Sequence, residues 1–368
     1  MRQLESTGVV GAGLMGRDIA GLLANGGFSV TLVDVDPDAL ASARDYHRTA
    51  LADDLDGAGF DSENSVAERI DYDTDLAALG DCEFVIEAIP ERLALKQDLL
   101  ADLEDVLRDD AVVGTNTSSL TPSEIASGTR SLERVVLFHF ANPAFERDLV
   151  EIAGDNASER ALSMAHRIAE AIGRTPIRLD AEYRANCLSR LSASIKCAGT
   201  WELLDADAAA IDRGAASAGF DRGPIEFIDL IGIDVHLATI DNLSEAYGDR
   251  YAPPSTVRDR MENMVDKGHL GKKTGQGFFE WDGETCLLPD IDQRHDVMPV
   301  VGALVNEAHR LVADDVGDED TIDHVLKRGS GGDIGPFDIE SMLGREALRE
   351  MLKDRHGETG AAVYDPVF

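Results

Sequence analysis

The sequence has few cysteines and few aromatic residues. Four cysteines occur in 368 residues, and aromatic residues make up 5% of the chain. The cysteines form no Cys-x-x-Cys pair and have no histidine nearby at ligand spacing, which argues against a zinc site and against a disulfide framework. This usage predicts no bound metal and a reduced compartment, the cytoplasm. The cysteines are Cys82, Cys187, Cys197 and Cys286.

Positive charge is scarce as well. The chain carries 34 Lys and Arg against 70 Asp and Glu, a formal net charge of −36. Such a field repels phosphate backbones and anionic lipid, so we expect neither nucleic acid nor a membrane as a partner. The acidic residues are spread along the chain, and this balance resembles that of cytosolic proteins from salt-loving organisms, in which high salt screens the repulsion.

Long hydrophobic runs are missing too. No apolar run reaches the roughly 18 residues needed to span a bilayer, and Met1 to Glu5 lead directly into a predicted strand with no export segment. At about 150 residues per domain, a chain of 368 residues predicts two or three domains.

The first half of the chain does contain alternating strand and helix patterns. A strand over Thr7 to Val10, a glycine loop, a helix over Met15 to Asn25 and a strand over Phe28 to Val33 form a predicted βαβ unit. Such alternation predicts an α/β fold, a doubly wound Rossmann sheet that is mostly parallel. The further predicted elements are strands Phe84 to Ile89, Ala111 to Gly114, Val135 to Phe140 and Leu149 to Ile152, and helices Leu93 to Leu107 and Leu162 to Ile172.

Helical patterns separated by Gly and Pro turns dominate the second half, so we predict an all-α domain there. Gly223-Pro224 and its flanking residues are echoed around Gly335-Pro336, which predicts a duplicated helical unit. The predicted domains are 1–180, 181–288 and 289–368. Two helical copies could pack against each other as two subunits of a homodimer do, or the whole chain could itself form a homodimer.

A loop of the form G-x-G-x-x-G joins the first predicted strand to the first helix. Gly11 allows a tight turn, Gly13 allows close approach of a pyrophosphate, and Gly16 allows the helix to pack on the strand. The helix N-terminus supplies amide donors to the phosphates. Asp34 ends the second strand, where a carboxylate accepts hydrogen bonds from ribose hydroxyls and repels a 2′-phosphate. The sequence therefore predicts NAD rather than NADP.

Polar motifs follow the other predicted strands, at the edge where ligands bind in open α/β sheets. They are Glu87-Ala88-Ile89-Pro90-Glu91 with Lys96, Asn116-Thr117-Ser118-Ser119, His139-Phe140-Ala141-Asn142-Pro143 and Leu149-Val150-Glu151. With these motifs in this order, the chain resembles the L-3-hydroxyacyl-CoA dehydrogenase family from the first strand to the last repeat. The resemblance implies NAD-dependent oxidation of a 3-hydroxyacyl-CoA to the 3-ketoacyl-CoA, as in fatty-acid β-oxidation or hydroxybutyryl-CoA metabolism.

This reaction needs a base for the hydroxyl proton. His139 fits that role, because an imidazole titrates near neutral pH and can return the proton in the reverse direction. Glu151 would hold the ring in the correct tautomer and stabilise the imidazolium. A single histidine beside a strand is more often a buried residue with a structural role, and Glu151 together with the two surrounding motifs favours the catalytic role for His139.

The resemblance also implies binding roles for other residues. Ser118 would reach substrate and nicotinamide, although Ser118 could also be a turn residue. Asn142 would contact the nicotinamide, or serve only as a turn residue before proline. Glu91 and Lys96 would contact the cofactor ribose, or form a solvated pair. The resemblance implies cofactor contacts for Gly11, Gly13, Met15, Gly16, Asp34, Glu91, Lys96, Asn142 and Lys273, the last of which lies in a basic glycine-rich turn.

The chain departs from the family pattern where the helical domain begins. The family has an Asn-Arg-Leu stretch whose Asn touches the substrate, and matching Arg190-Leu191 places Ser189 at that position. Matching the residue type would choose Asn186 instead, and we favour Ser189. Arg44 and Arg48 are the nearby cations available to CoA phosphates, so a free hydroxy acid or sugar acid stays open as an alternative substrate. A third alternative is an NAD-binding module without turnover.

Overall fold

The structure is a computed structural model, and it describes residues 5–57, 59 and 66–368. The prediction about the first residues, Met1 to Leu4, lies outside this part of the chain. The β-strands are β1 (Ser6–Val10), β2 (Ser29–Val33), β3 (Ile70–Asp73), β4 (Phe84–Glu87), β5 (Val112–Thr115), β6 (Val135–Phe140), β7 (Val150–Ala153), β8 (Pro176–Arg178), β9 (Glu280–Asp282) and β10 (Thr285–Leu287). The α-helices are α1 (Leu14–Asn25), α2 (Pro37–Thr49), α3 (Leu51–Gly57), α4 (Leu93–Val106), α5 (Pro122–Ile125), α6 (Glu159–Ala171), α7 (Cys187–Glu202), α8 (Ala208–Ser217), α9 (Pro224–Ile231), α10 (Ile233–Tyr247), α11 (Ser255–Asp266), α12 (Met298–Ala313), α13 (Glu319–Ser330), α14 (Pro336–Leu343) and α15 (Arg345–Thr359).

The first eight strands form one sheet in the order β3-β2-β1-β4-β5-β6-β7-β8. All neighbouring pairs are parallel except β6 with β7, which run antiparallel. The sheet confirms the predicted Rossmann fold. Chain order reverses between β1 and β4, and in such sheets ligands bind at the carboxyl ends of the strands beside that reversal.

Apolar side chains hold this sheet between its helices. Val9 and Leu32 in the strands and Ile19, Leu22 and Leu23 on α1 are fully buried in one cluster. Each such side chain contributes about 1.5–3 kcal/mol when it is removed from water. The packing therefore fixes α1 against the sheet.

The chain divides into two compact units. The first contains residues 1–186 and 315–333, and the second contains residues 187–314 and 334–368. The predicted domains were 1–180, 181–288 and 289–368. In the structure residues 181–186 and 315–333, which contain α13, belong to the first unit, and the rest of the two helical domains forms one unit. The Asp180 amide donates to the Val316 carbonyl at 2.8 Å, and Arg328 pairs with Asp148 at 3.2 Å. Sequence repetition could not predict those contacts.

The predicted helical repeat has a clear counterpart in the structure. Helices α7 to α10 contain 16, 10, 8 and 15 residues, and α12 to α15 contain 16, 12, 8 and 15. In each copy a glycine caps the eight-residue helix, which begins with proline, and a glycine of positive φ ends it. The capping glycines are Gly223 and Gly335, and the terminal ones are Gly232 and Gly344.

The second half is helical as predicted, and it also contains one short hairpin. Strands β9 and β10 pair antiparallel as a short hairpin. The two-residue turn between them is Gly283-Glu284, and Gly283 has a φ of 57°, the left-handed conformation that the first position of such a hairpin turn requires. Elsewhere, no helix in the described part of the chain has both the length and the apolar composition needed to cross a membrane.

Candidate active site

The glycine loop follows β1 and caps α1. A Cβ atom at Gly16 would lie 1.8 Å from the Gly11 carbonyl oxygen, and one at Gly11 would lie 2.6 Å from the Ala88 carbonyl oxygen. At Gly13, by contrast, a Cβ would meet nothing within 4 Å. Gly11 and Gly16 thus allow close packing within the protein, whereas Gly13 leaves open space over the loop.

Asp34 lies beside this loop at the end of β2. Its Oδ2 accepts a hydrogen bond from the Ala12 amide at 2.6 Å, and its Oδ1 accepts one from the Asp36 amide at 2.9 Å. Each carboxylate oxygen can accept a second hydrogen bond. The carboxylate is therefore fixed next to the loop with acceptor capacity left for ribose hydroxyls.

These residues fit a dinucleotide. No side chain caps the N-terminus of α1, whose N-cap residue is Gly13, so its amide groups can bind an anion with help from the helix dipole. Met15 is half-buried in the first turn of α1 and packs against the core of the sheet.

His139 and Glu151 face each other across β6 and β7. The antiparallel register pairs these two residues directly, so their side chains lie on the same face of the sheet. His139 Nδ1 lies 2.7 Å from Glu151 Oε2, and Glu151 is fully buried. Within the described residues, His139 Nε2 has no hydrogen-bond partner. The arrangement can therefore hold one ring nitrogen while the other takes or gives a proton.

A turn after β5 carries Ser118. The Glu91 carboxylate accepts hydrogen bonds from the amides of Ser118 at 3.1 Å and Ser119 at 2.9 Å, and from the hydroxyls of Thr117 and Ser119. Ser118 is the exposed residue of this turn. The Glu91 contacts thus fix the backbone that presents the Ser118 hydroxyl.

Lys96 lies under the same region and is 1% exposed. Its Nζ is 2.7 Å from Glu87 Oε1, 3.2 Å from Glu91 Oε2 and 3.3 Å from the Ile89 carbonyl oxygen. These oxygens match the three N–H groups of an ammonium. Lys96 is thus buried and paired, whereas Glu91 is exposed. This corrects the alternative of a solvated pair for Lys96 alone.

The comparisons with known proteins give a consistent result. Residues 6–183 match the NAD binding domain of 3-hydroxyacyl-CoA dehydrogenase, and residues 196–281 match the C-terminal domain of the same enzyme. A probable 3-hydroxybutyryl-CoA dehydrogenase of Deinococcus radiodurans is 31% identical over 282 residues, which cover 74% of this chain and 99% of that protein. The chain belongs to the 3-hydroxyacyl-CoA dehydrogenase family.

Two further family members extend the comparison. A 3-hydroxyadipyl-CoA dehydrogenase of Escherichia coli K12 is 33% identical over 308 residues, which cover 80% of this chain but 63% of the longer relative. The crystal structure of a 3-hydroxybutyryl-CoA dehydrogenase from Escherichia coli K12 has a TM-score of 0.85 and 23% identity, covering 99% of this chain and 97% of that one. The shared fold therefore includes both helical repeats.

Family membership confirms NAD as the cofactor, as the glycine loop and Asp34 predict. It also places the chain among the NAD-dependent oxidoreductases that act on a CH–OH group. The resemblance to 3-hydroxyacyl-CoA dehydrogenases expected from the sequence motifs is confirmed.

In this family member the other predicted residues are distributed between the two units. Asn142 is exposed, two residues beyond β6, in the first unit. Ser189 is half-buried near the start of α7, in the second. Lys273, also in the second unit, pairs with Asp234 at 2.6 Å, so its ammonium has a carboxylate partner within its own unit. Asn186 is buried and donates from Nδ2 to the Thr117 carbonyl at 2.9 Å.

Two polar residues of the site had no role in the sequence prediction. Glu87 is fully buried and also accepts a hydrogen bond from the Thr115 hydroxyl at 2.6 Å. Asn116 Oδ1 accepts one from the Phe140 amide at 2.9 Å, which ties the Ser118 turn to the strand of His139. The available signal for Glu87 was a carboxylate at the end of an apolar strand. Charges that are buried are found almost only in pairs, so this position predicts a partner for Glu87.

Proposed function

We propose that this protein oxidises an L-3-hydroxyacyl-CoA to the 3-ketoacyl-CoA, with His139 as general base. The observation that carries the proposal is the 2.7 Å hydrogen bond between His139 Nδ1 and Glu151 Oε2. Membership of the family and the exposed Ser118 turn support the same reaction.

His139 removes the proton from the substrate hydroxyl through Nε2. Glu151 keeps the proton of the neutral ring on Nδ1 and stabilises the imidazolium that forms. NAD, when bound over the glycine loop, supplies the hydride acceptor for the carbinol carbon. In the reverse direction His139 returns the proton to the ketone oxygen.

Ser118 and Ser189 contact the substrate in this proposal. Asn186 is occupied by the Thr117 carbonyl, which favours Ser189 as the polar group offered to the acyl thioester. Asn142 would contact the nicotinamide, and Lys273 would contact the cofactor in place of Asp234, its present partner. The pathway is fatty-acid β-oxidation or hydroxybutyryl-CoA metabolism.

The test is oxidation of 3-hydroxybutyryl-CoA with NAD, followed by NADH absorbance. His139→Ala should lower kcat by about 10²- to 10⁴-fold, the usual cost of removing a general base, and leave the Kd for NAD unchanged. His166→Ala is the matched control, because His166 pairs with Glu170 at 3.6 Å on the surface. That variant should retain full activity.

The same assay separates the alternatives. Turnover of free 3-hydroxybutyrate but not of the thioester would replace the CoA substrate by a free hydroxy acid. Binding of NAD without turnover of either substrate would contradict the enzymatic proposal. Equal loss of NAD binding and kcat in His139→Ala would make His139 a structural residue.

We also propose that the protein works in a cytoplasm of high salt. The support is its net charge of −36, since self-repulsion of this size weakens a fold unless salt screens it. The melting temperature should therefore rise from dilute buffer to molar potassium chloride. An unchanged melting temperature would contradict adaptation to salt.

A further inference from the structure

The turn Thr117 to Ser119 is held on its amide side by one atom. Glu91 Oε1 accepts hydrogen bonds from the Ser118 amide at 3.1 Å, the Ser119 amide at 2.9 Å and the Ser119 hydroxyl at 2.8 Å, in addition to the Thr117 hydroxyl. Hydrogen bonds to an ionised acceptor are roughly twice as strong as those between neutral groups. Removing this oxygen would leave the amide side of the turn without its acceptor.

The carbonyl side of the same turn is held by the segment before α7. Asn186 Nδ2 donates to the Thr117 carbonyl at 2.9 Å, and the Ala185 amide donates to the Ser119 carbonyl at 3.1 Å. The backbone of Ser118 is thus clamped from both sides. Its side chain is exposed, so the clamp controls where the Ser118 hydroxyl lies.

The other oxygen of Glu91 has a separate environment. Oε2 lies 3.2 Å from Lys96 Nζ and accepts none of the hydrogen bonds from the turn. Burial alone would raise the pKa of Glu91, but the Lys96 ammonium and the donors of Thr117 and Ser119 outweigh it and hold the pKa below its usual value. The carboxylate therefore stays ionised and can fix the turn through Oε1 while Oε2 pairs with Lys96.

We propose that Glu91 is a positioning residue, which fixes the Ser118 hydroxyl for substrate through Oε1 in addition to any contact that it makes with the cofactor. The proposal rests on the role of Ser118 in the proposed function. It differs from a ribose contact because its effect passes through the turn and disappears when the Ser118 hydroxyl is absent.

A double-mutant cycle at saturating NAD tests this coupling. Glu91→Ala should lower kcat/KM for the thioester by about 10²-fold, as expected for a misplaced contact group. In a Ser118→Ala background, Glu91→Ala should lower log(kcat/KM) by less than a quarter of its effect in the wild type. The reason is that two residues acting as a unit have non-additive effects. Glu91→Gln keeps an oxygen acceptor for the turn and should stay within about tenfold of the wild type. If the loss of kcat/KM in the double variant equalled the product of the losses in the two single variants, the proposal would be overturned.

Amide hydrogen exchange provides a readout that needs neither substrate nor NAD. Exchange of the Ser118 and Ser119 amides should be faster in Glu91→Ala than in the wild type, and near the wild-type rate in Glu91→Gln. Glu104→Ala is the control. Glu104 lies on α4, as Lys96 does, and its carboxylate accepts a hydrogen bond from the Arg130 amide at 2.8 Å. This variant should change amide exchange only near Arg130. Unchanged protection in Glu91→Ala would overturn the proposal, and failure of the wild type to oxidise a thioester would count against the proposed function alone.

Discussion

The two units of this chain each bury a lysine, but in opposite ways. Lys96 in the first unit has two carboxylates and a carbonyl oxygen around its Nζ. Lys196 in the second unit is 5% exposed and has no carboxylate within ion-pair distance in the part of the chain that the structure describes. Its Nζ contacts the Ser192 hydroxyl and lies 4.5 Å from the centre of the Phe227 ring.

The difference shows in the chemistry of the second lysine. Burial without a compensating carboxylate lowers the pKa of Lys196 to about 7. His236 in the same unit is also buried, and neither ring nitrogen has a hydrogen-bond partner among the described residues. A buried charge is retained when opposite charge surrounds it, and otherwise the group is neutralised. Lys96 is therefore a buried charge that its partners stabilise, whereas Lys196 and His236 are buried groups that cost stability.

The largest expected effect is from removing the paired lysine. Lys96→Met would leave the fully buried Glu87 carboxylate without its ammonium. Breaking a buried pair in this way costs about 3–5 kcal/mol. We expect a loss of this size in the free energy of unfolding, measured with urea, together with loss of activity. A loss below 1 kcal/mol would mean that Glu87 is solvated in solution and that the comparison fails.

The same substitution in the second unit should have the opposite sign. Lys196→Met removes an ammonium that burial disfavours and keeps an unbranched apolar side chain of similar length. Each tenfold loss in the proton affinity of the folded lysine costs the folded state about 1.4 kcal/mol. We therefore expect Lys196→Met to raise the free energy of unfolding at pH 7 by about 2–4 kcal/mol, measured with urea. The gain should shrink as the pH rises from 7 toward 10.5, because the unfolded lysine then also loses its proton. A gain independent of pH over this range would contradict the lowered pKa.

His236 gives a smaller effect in the same direction. Its pKa is lowered to about 3 by burial, with a further contribution from Lys196, so the folded ring is neutral at pH 7. His236→Leu should stabilise the protein at pH 7 by about 1–2 kcal/mol, because unsatisfied buried polar atoms disappear. The unfolded ring binds a proton below pH 6.5 and the folded ring does not, so the gain should increase as the pH falls from 6.5 toward 3. Urea unfolding at pH 7, 5 and 4 measures this gain. A gain that becomes smaller as the pH is lowered would contradict the lowered pKa of His236.

The sequence indicates the polar residues at the sheet edge more directly than it indicates the two buried lysines. Glycine spacing and strand-end motifs predict that the loop, Asp34, His139 and Glu151 are site residues, since strands of a parallel sheet present their ends at one edge. The direct pairing of His139 with Glu151 depends on the antiparallel register of β6 and β7. Local pattern does not specify that register.

Burial of the two lysines could not be predicted from their surroundings in the sequence. Lys96 lies in an amphipathic helix where a lysine is usually solvated, and its burial depends on Glu87 from a neighbouring strand. Lys196 stands between Ile195 and Cys197 on α7, in a helix with buried residues on most of its faces. The partners of Lys96 are close in sequence, but the path of the chain from β4 into α4 decides that they meet its ammonium. Lys196 packs against Phe227 of another helix, and contacts between distant residues likewise assign α13 to the first unit.

The smallest expected effect separates burial from charge. Lys353 is 44% exposed and pairs with Glu350, which is 56% exposed, at 2.5 Å. Surface ion pairs of this kind contribute about 0–1 kcal/mol, so Lys353→Met should change the free energy of unfolding by less than about 0.5 kcal/mol. The measurement is the same urea titration in low and molar salt, and the small difference should vanish in molar salt because screening removes it. A change as large as that of Lys96→Met would show that net charge, rather than the presence of a buried partner, determines what a lysine contributes in this chain.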